Sequence, residues 1–385
     1  MMIIGVPKEN VEGEKRVALA PESIAKLKGF SIVVESDAGE RSGFSDTAYV
    51  ERGASIAPDS AALYRGSDIV LKVQPPMPSE SELFKEGSTL ISFLYPLSNL
   101  ESVRKLAARK ATVFAIELLP RISRSQSMDA LSSQANVAGY KSVMIAADTL
   151  PKLFPLLMTA AGTISPARVF VLGAGVAGLQ AVATAHRLGA LVEAYDVRPA
   201  VREQIQSLGA KFVELPVEAR DAQTAGGYAK AQSEEFYKKQ QELLADHTAQ
   251  SDVVITTALV SGQRAPILVS EEAVKRMRPG SVIVDLSAEQ GGNCALTEPG
   301  KTVVKYGVTI HGPMNLPSSM AAQSSLLYSR NLVSFLGTMF KEGASGASLN
   351  VDIKDEVVRG TMVMNKGEIT HEATRNALAG GLKSK

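Results

Sequence analysis

The sequence predicts an α/β protein with two doubly wound, Rossmann-like domains, one inserted in the other. Short apolar segments with strand character alternate with helical segments along most of the 385 residues, which is typical of parallel sheets covered by helices. A Gly-x-Gly-x-x-Gly motif marks the middle of the chain, and the C-terminal residues do not continue the alternation. We therefore expect an outer domain of residues 1–130 plus 325–385 and an inserted domain of residues 131–324.

The composition argues against several classes of protein. The net charge of +1 argues against nucleic-acid binding and against a basic membrane-binding surface. The single cysteine, Cys294, excludes a disulfide framework and a cysteine-based metal cluster, and we expect no metal site. No uncharged run reaches the roughly 20 apolar residues of a membrane span, and the N-terminus enters a strand without a signal peptide.

The outer domain is expected to begin with alternating strands and helices. Strands are predicted at residues 3–6, 31–35, 68–73, 88–94 and 111–117, and helices from Pro21, at 79–86 and at 98–109. The segment 120–127 has the composition of a linker, and a long helix follows from near Asp129 towards Leu150.

A polar stripe follows one face of this long helix, because its members are three, four, seven and eleven residues from the first. The stripe consists of Asp129, Ser132, Ser133, Asn136 and Tyr140. Such a stripe is usually the solvated face of a helix. Its position beside a basic loop makes a cleft-lining face the alternative.

The segment 168–198 carries the strongest functional signal. A strand is followed by Gly173-Ala174-Gly175-Val176-Ala177-Gly178 and then by an alanine-rich helix. The first glycine permits a tight turn, the second lets the backbone approach a pyrophosphate, and the third lets the helix pack on the strand. The helix N-terminus offers free N–H groups to phosphates. These features predict a nucleotide site, with close helix–strand packing as the alternative.

Asp196 favours NAD as the nucleotide. It follows the next strand, about 20 residues after the glycines, where its carboxylate can accept hydrogen bonds from both ribose hydroxyls of an adenosine. The same charge would repel the 2′-phosphate of NADP. Arg198 could accept that phosphate, but we expect its side chain to be solvated.

The remaining elements follow the same alternation. Further strands of the inserted domain are predicted at residues 211–215, 253–257, 282–285 and 308–311. The segment Thr224-Ala225-Gly226-Gly227-Tyr228 suggests a lid that closes over a ligand, with a disordered surface loop as the alternative. A helix at 319–340 precedes strands at 348–353, 358–364 and 368–370, the last two joined by a turn at 365–367. The polar tail from His371 is expected to be loose.

No motif of a catalytic base or nucleophile stands out. We expect His186 to be structural and His247 and His371 to be exposed, which leaves His311, at a predicted strand end, as the one histidine facing a cleft. A dehydrogenase that acts on an alcohol or amine usually needs a positioned base. Hydride transfer between two nicotinamides needs only proximity and orientation.

Several segments resemble one family. Residues 120–136 are similar to the signature of the NAD(H)-binding component of proton-translocating nicotinamide nucleotide transhydrogenase, as are residues 224–230, 256–259 and 291–294. Residues 5–9 and 16–18 also match, but alanine dehydrogenase shares them. The similarity extends over essentially the whole chain.

The resemblance implies the site residues. The side chains expected beside the nicotinamide ring are Arg121, Gln126, Asp129 and Ser132, with Gln126 nearest the nucleotide of the partner. Asp196 would hold the adenosine ribose, and Tyr228 would close a mobile loop over NAD(H). The other implied nucleotide contacts are Gly173, Gly175, Val176, Ala177, Gly178, Val197, Arg198, Thr257, Ala258 and Leu259.

The resemblance also implies an activity and partners. Hydride would pass directly, with Si-specific (AB) stereochemistry, between NAD(H) on this chain and NADP(H) on a partner component, coupled to proton translocation. The family's component is a homodimer that docks on an NADP(H)-binding component, which a proton-conducting membrane component holds. Because the sequence ends at Lys385 without membrane helices, it is similar to the split form. We expect a cytoplasmic protein, attached through its partner to the inner face of the cell membrane.

Two alternatives are kept open. Alanine dehydrogenase uses a substrate-binding lysine and a catalytic histidine where this chain has Gln74 and Tyr95, although Arg16, which would bind the substrate carboxylate, is retained. The loss of the base disfavours an amino-acid dehydrogenase. A non-catalytic NAD-sensing module is the other alternative, and the intact segment 120–136 argues against it.

Overall fold

The computed structural model describes residues 1–214, 234–259, 264–343 and 346–380. The chain divides into two compact units, the first made of Met1–Gln134 and Ser318–Lys385 and the second of Ala135–Pro317. Among the described residues, no helix combines the length and the apolar character that crossing a membrane requires.

The N-terminal segment alternates strands and helices as expected. Its strands are β1 (Met2–Val6), β2 (Phe30–Glu35), β3 (Ser55–Ala57), β4 (Ile69–Leu71), β5 (Thr89–Ser92) and β6 (Thr112–Ala115). Its helices are α1 (Asp46–Val50), α2 (Ser60–Gly66), α3 (Pro78–Ser81) and α4 (Leu100–Ala108), and the long helix α5 covers Ala130–Thr149. Short 3-10 helices lie at Pro21–Lys26, Glu40–Ser42, Ile116–Leu118 and Ser123–Met128. Helices α1 and α2 and strand β3 were not predicted from the sequence.

The second unit continues the alternation. Its strands are β7 (Leu157–Thr159), β8 (Gly162–Ile164), β9 (Arg168–Leu172), β10 (Leu191–Tyr195), β11 (Lys211–Phe212), β12 (Val253–Thr256), β13 (Val282–Asp285), β14 (Thr302–Lys305) and β15 (Val308–His311). Its other helices are α6 (Val176–Arg187), α7 (Arg202–Ser207), α8 (Glu234–Gln250) and α9 (Glu271–Lys275), with 3-10 turns at Pro199–Val201 and Ala288–Gln290. A further 3-10 turn, Leu316–Met320, leads into the C-terminal segment.

The C-terminal segment corrects three predictions, of which the first is the strand at 348–353, because the strand found there ends at Leu349. Its elements are α10 (Ala321–Leu336), β16 (Phe340–Gly343), β17 (Gly346–Leu349), α11 (Glu356–Thr361), β18 (Met362–Asn365), β19 (Glu368–Ile369) and α12 (Glu372–Gly380). The strand predicted at 358–364 is wrong in its first half, because the Asp355 carboxylate accepts from the N–H groups of Val357 and Val358 and starts a helix there. The prediction of a loose tail from His371 is wrong as far as residue 380, since α12 buries Thr374 and Leu378.

The first unit is built on an eight-stranded sheet in the order β19-β18-β6-β5-β4-β1-β2-β3. The six strands β1 to β6 are parallel, and β18 pairs antiparallel with both β6 and β19. Helix α10 buries Tyr328, Leu332 and Phe335 in the core of this unit, and the rings of Phe335 and Phe114 of β6 meet edge to face at 5.6 Å. This packing fixes α10 against the sheet.

The second unit is built on a seven-stranded sheet in the order β11-β10-β9-β12-β13-β15-β14, parallel except for β14. Strands β12 and β13 are buried along their whole length, as expected for a parallel sheet covered on both faces. The strand order reverses between β9 and β12. Ligands of such sheets bind at the carboxyl ends of the strands at this reversal. The predicted fold class is thereby confirmed.

Candidate functional site

The glycine motif joins the carboxyl end of β9 to α6. Gly173 has a φ of +97°, and a Cβ at this position would lie 2.8 Å from Oγ1 of Thr257. A Cβ on Gly178 would lie 1.8 Å from the carbonyl oxygen of Gly173. The first glycine is therefore required by the backbone conformation and by close packing, and the third by the packing of α6 against the loop.

Neither the backbone conformation nor close packing requires a glycine at Gly175. Its φ of −74° suits any residue, and a Cβ there would meet no atom of the described residues within 4 Å. It is the N-cap of α6, and within the part of the chain that the structure describes no side chain caps this helix. Open space beside an uncapped helix N-terminus fits a phosphate, which the N–H groups of Val176 and Ala177 could bind. The residues present therefore suit the pyrophosphate of a dinucleotide.

Asp196 follows the carboxyl end of β10, next to the glycine motif. Its Oδ2 accepts from the N–H of Ala174 at 2.7 Å, and the side chain is only 6% exposed. The Arg198 side chain donates to both carboxylate oxygens, from Nε to Oδ1 and from Nη2 to Oδ2, each at 2.8 Å. These hydrogen bonds raise the pKa of Arg198. The expectation of a solvated Arg198 is therefore wrong, because its guanidinium pairs with Asp196. Val197, between them, is partly buried.

The third strand end of the candidate site is the carboxyl end of β12, which supplies Thr257, Ala258 and Leu259. Oγ1 of Thr257 donates to the carbonyl oxygen of Gly173 at 3.0 Å, so β12 and the glycine motif are joined directly. Leu259 is 41% exposed. The second unit thus brings the predicted residues of all three segments to neighbouring strand ends. Tyr228 and the rest of the segment 224–230 lie outside the described residues.

The residues that hold the carboxyl end of β12 were not predicted from the sequence. The Ala258 N–H donates to Oδ1 of Asn293, and the Asn293 side-chain amide donates back to the Ala258 carbonyl oxygen. The buried carboxylate of Asp285 accepts from Thr256 Oγ1 and from the Asn293 N–H. The position of Asp285 at the end of the apolar strand segment 282–285 was the sequence signal that could have indicated these contacts.

In the first unit, Asp129 caps the start of α5. Its Oδ1 accepts from the Ser132 N–H at 2.9 Å and its Oδ2 from the Ser132 hydroxyl at 2.5 Å. Gln126 and Arg121 are exposed on the preceding segment. The first members of the predicted polar stripe therefore form a helix cap, which keeps the Asp129 carboxylate partly exposed in a fixed position.

His311 has partners at both ring nitrogens. Nε2 lies 3.0 Å from Thr149 Oγ1 and Nδ1 lies 2.9 Å from Thr302 Oγ1, and partial burial lowers the pKa of the ring. The ring is thus held by two hydroxyl groups of its own unit, which indicates a structural role. His247 is not fully exposed as expected, because its ring contacts Glu193 at 2.7 Å.

A buried cluster of charges in the first unit was not predicted. Its members are Glu9, Glu14, Arg16, Lys72 and Glu80. Lys72 Nζ lies 3.1 Å from Glu9 and 3.4 Å from Glu80. Burial alone would lower the pKa of Lys72, but these carboxylates raise it. Burial would likewise raise the pKa of Glu14, but hydrogen bonds and attraction from Arg16 outweigh it and lower this pKa to about 2.

Comparison with known families agrees with this geometry. The model of the alanine dehydrogenase/PNT N-terminal domain matches residues 5–138, and that of the alanine dehydrogenase/PNT C-terminal domain matches residues 142–372. An NAD(P) transhydrogenase alpha-subunit protein of Rhodospirillum rubrum is 50% identical over 380 residues, which cover 97% of this chain and 98% of that protein. The chain belongs to the alpha-subunit family of NAD(P) transhydrogenase.

Solved structures place the fold in the same family. The crystal structure of transhydrogenase from Sinorhizobium meliloti matches with a TM-score of 0.86 and 44% identity, covering 96% of this chain and all of that one. A structure of L-alanine dehydrogenase matches with a TM-score of 0.79 and 26% identity, covering 98% and 99%. The transhydrogenase alpha subunits and alanine dehydrogenase thus share the architecture of this chain.

Proposed function

We propose that this chain binds NAD(H) and exchanges hydride directly with NADP(H) held by a partner component. The observation that carries the proposal is the open, uncapped N-terminus of α6 at Gly175, beside the carboxylate of Asp196, in a transhydrogenase alpha-subunit chain. When bound, the nicotinamide ring supplies the hydride or accepts it. The protein contributes binding, proximity and orientation.

The charges at the ribose end support NAD(H) rather than NADP(H) on this chain. Asp196 presents a carboxylate where a 2′-phosphate would lie, and the two anions would repel each other. The guanidinium of Arg198 partly offsets this charge, but its Nε and Nη2 already donate to the carboxylate, so these donors are not available to a 2′-phosphate. We therefore propose that the 2′-phosphorylated nucleotide binds to the partner.

Four side chains are proposed to lie beside the nicotinamide ring: Arg121, Gln126, Asp129 and Ser132. The cap between Asp129 and Ser132 supports this role, because it holds a carboxylate and a hydroxyl in a fixed mutual position. The other proposed contacts of the nucleotide are Gly173, Val176, Ala177, Gly178, Val197, Thr257, Ala258 and Leu259. Tyr228 is proposed to close over the bound nucleotide.

The contacts of Arg16 argue against an alanine dehydrogenase activity. Its guanidinium donates to both oxygens of Glu14, and its Nη1 donates to Oε1 of Gln134 at 2.8 Å. Gln74, at the position of the expected lysine, donates to Glu14 at 2.7 Å. A substrate carboxylate would have to displace these buried partners to reach Arg16.

A homodimer is part of the proposal. The β7–β8 hairpin is exposed along both strands although three of its six strand residues, Leu157, Met158 and Ile164, are large and apolar, and Met158 is 79% exposed. An isolated two-stranded hairpin is marginally stable in water, and exposed apolar patches of this kind mark protein interfaces. We assign the β7–β8 hairpin to contact with a second copy of this chain.

Met158→Asp tests this assignment. The mass measured by light scattering should shift from dimer towards monomer, whereas an unchanged mass would show that the hairpin is not part of the interface.

The membrane partners are proposed on the basis of the family. The relatives are named as alpha subunits of NAD(P) transhydrogenase, so other subunits are expected. We propose an NADP(H)-binding component and a proton-conducting membrane component, which would hold this chain at the inner face of the cell membrane. Hydride transfer of Si-specific (AB) type would be coupled there to proton translocation.

The deciding experiment mixes this chain with an isolated NADP(H)-binding component and follows the reduction of an NAD analogue by NADPH. We expect reduction that requires both proteins, and deuterium from labelled NADPH should appear directly in the product. Absence of exchange, together with alanine-dependent NAD reduction by the chain alone, would favour the alanine dehydrogenase alternative. NAD binding with neither activity would favour a sensing module.

A further inference from the structure

A buried side-chain amide on α10 joins the segment that carries Gln126 to the first turn of α5. Asn331 is 8% exposed. Its Oδ1 accepts from the Ser133 hydroxyl at 2.7 Å, and its Nδ2 donates to the carbonyl oxygen of Ser127 at 2.9 Å. Ser127 is the residue after Gln126, and Ser133 lies one turn beyond Asp129. One amide thus spans the two parts of the candidate site in the first unit.

The bridge is backed by further buried groups. The Gln134 side-chain amide donates to Ser133 Oγ at 3.3 Å and to the Ser324 carbonyl oxygen at 3.1 Å. Its oxygen accepts from Arg16, which in turn is paired with Glu14. Buried, satisfied networks of this kind restrict a segment to one arrangement. The bridge therefore connects the candidate site to the rigid interior of its unit.

An ion pair also holds the segment that carries Gln126, but this interaction is weaker. Arg124 donates to both oxygens of Asp355 at 2.7 Å, but the Arg124 side chain is 52% exposed. Solvent and salt screen such a pair, and exposed ion pairs typically contribute less than about 1 kcal/mol. Asn331 is uncharged and only 8% exposed, so salt does not screen its two hydrogen bonds in this way. We therefore expect the amide, rather than the ion pair, to fix the segment.

We propose that Asn331 is a positioning residue for hydride transfer, acting through Ser127 and Ser133 on Gln126 and Asp129. This inference rests on the proposed function, in which those two side chains lie beside the nicotinamide. The reaction needs proximity and orientation, and a displacement of about 1 Å can lower a rate on the order of 100-fold. Loss of the bridge should therefore slow transfer while leaving the nucleotide site of the second unit unchanged.

The test compares two substitutions of Asn331 with a control on the same helix. Asn331→Leu removes the donor and the acceptor, and we expect a hydride-transfer rate lowered ~10- to 100-fold at saturating nucleotide, with NADH affinity within about 2-fold of the original. The control is Ser329→Ala, because Ser329 is also fully buried and its hydroxyl accepts from the Ala20 N–H at 3.1 Å, away from the site. It should lower the melting temperature and leave the transfer rate unchanged.

The pH dependence of the transfer rate of Asn331→Asp distinguishes a positioning role from a merely structural one. A carboxylate would present an acceptor to the Ser127 carbonyl oxygen, whereas the protonated form would donate to it again. Burial raises the pKa of a carboxyl group at such a position. The transfer rate of Asn331→Asp should therefore rise towards that of the original protein as the pH falls from 8 to 6. A rate that shows no such recovery would contradict the proposal.

A readout independent of activity separates this inference from the proposed function. Hydrogen exchange of the amides at 121–129 should accelerate in Asn331→Leu and remain unchanged in Ser329→Ala. If Asn331→Leu does not fold, Ser133→Ala replaces it, since alanine suits the helix and still removes one half of the bridge. Unchanged exchange and unchanged transfer in a folded variant would overturn the positioning role. If the unaltered chain transfers no hydride but hydrogen exchange is faster in Asn331→Leu, the bridge is supported and the proposed function is rejected.

Discussion

Two arginine–carboxylate pairs, one in each unit, share the same local geometry. In Glu14–Arg16 and in Asp196–Arg198 the acid precedes the arginine by two residues. In both, the backbone N–H and Nε of the arginine donate to one oxygen at 2.9 and 2.8 Å. Nη2 donates to the other oxygen at 2.7 Å in the first pair and 2.8 Å in the second.

The surroundings of the two pairs differ. The Arg16 and Glu14 side chains are 4% and 0% exposed, and Gln134 and Gln74 bind their outer edges. The Arg198 and Asp196 side chains are 17% and 6% exposed, beside the open space at Gly175. The same motif is therefore a closed structural element in the first unit and a candidate ligand-binding element in the second.

The largest expected effect is that of Arg16→Ala on stability. Removing Arg16 leaves the fully buried Glu14 carboxylate with neutral donors, the Gln74 side-chain amide and the residue 16 N–H, and breaking a buried ion pair in this way typically costs about 3–5 kcal/mol. We expect the free energy of unfolding of the first unit to fall by this amount in urea titrations. A loss below about 1 kcal/mol would show that the pair is not a structural element, and would remove the contrast with Arg198.

The pH dependence of unfolding gives a second, smaller effect. The pKa of Glu14 is about 2 in the folded protein, below its ordinary value of 4.5, so the unfolded chain binds more protons between these values. The resulting stability is present above pH 4.5 and is lost as the pH falls towards 2. The expected loss is on the order of 3 kcal/mol. Glu14→Gln should flatten this part of the stability profile, and an unflattened profile would assign the acid sensitivity to other carboxylates.

The contrast between the pairs also shows what the sequence could and could not predict. The glycine motif and Asp196 were predictable because the strand, the turn and the helix are local and each has its own residue requirements. The closed pair at Arg16 was not, since Gln74 and Gln134 lie 60 and 118 residues from the groups they bind. The pairing of Arg198 was not predictable either, because an i, i+2 pair depends on loop conformation. At residues 356–361 a single cap by Asp355 overrode the strand propensity of Val357 and Val358.

The open pair should respond mainly in nucleotide affinity. Asp196→Asn keeps the shape of the side chain and one acceptor but removes the charge. We expect NADH to bind about 10-fold more weakly and NADPH to bind better relative to NADH, because the repulsion of a 2′-phosphate is lost. Titration of nicotinamide fluorescence measures both. An unchanged ratio of the two affinities would mean that Asp196 does not select the nucleotide.

The smallest expected effect is that of Arg198→Ala, the matched counterpart of Arg16→Ala. The Asp196 carboxylate would keep the N–H groups of Ala174 and of residue 198, and because it is less buried than Glu14 and lies beside open space, water can solvate the charge that remains. We expect a loss of about 1 kcal/mol or less in the free energy of unfolding. NADH affinity should change by less than about 3-fold, because the carboxylate, rather than the guanidinium, is the group that a ribose would bind. If Arg198→Ala destabilises the protein as much as Arg16→Ala does, both pairs are structural elements. If Arg198→Ala instead loses much of its NADH affinity at normal stability, Arg198 is itself a nucleotide ligand.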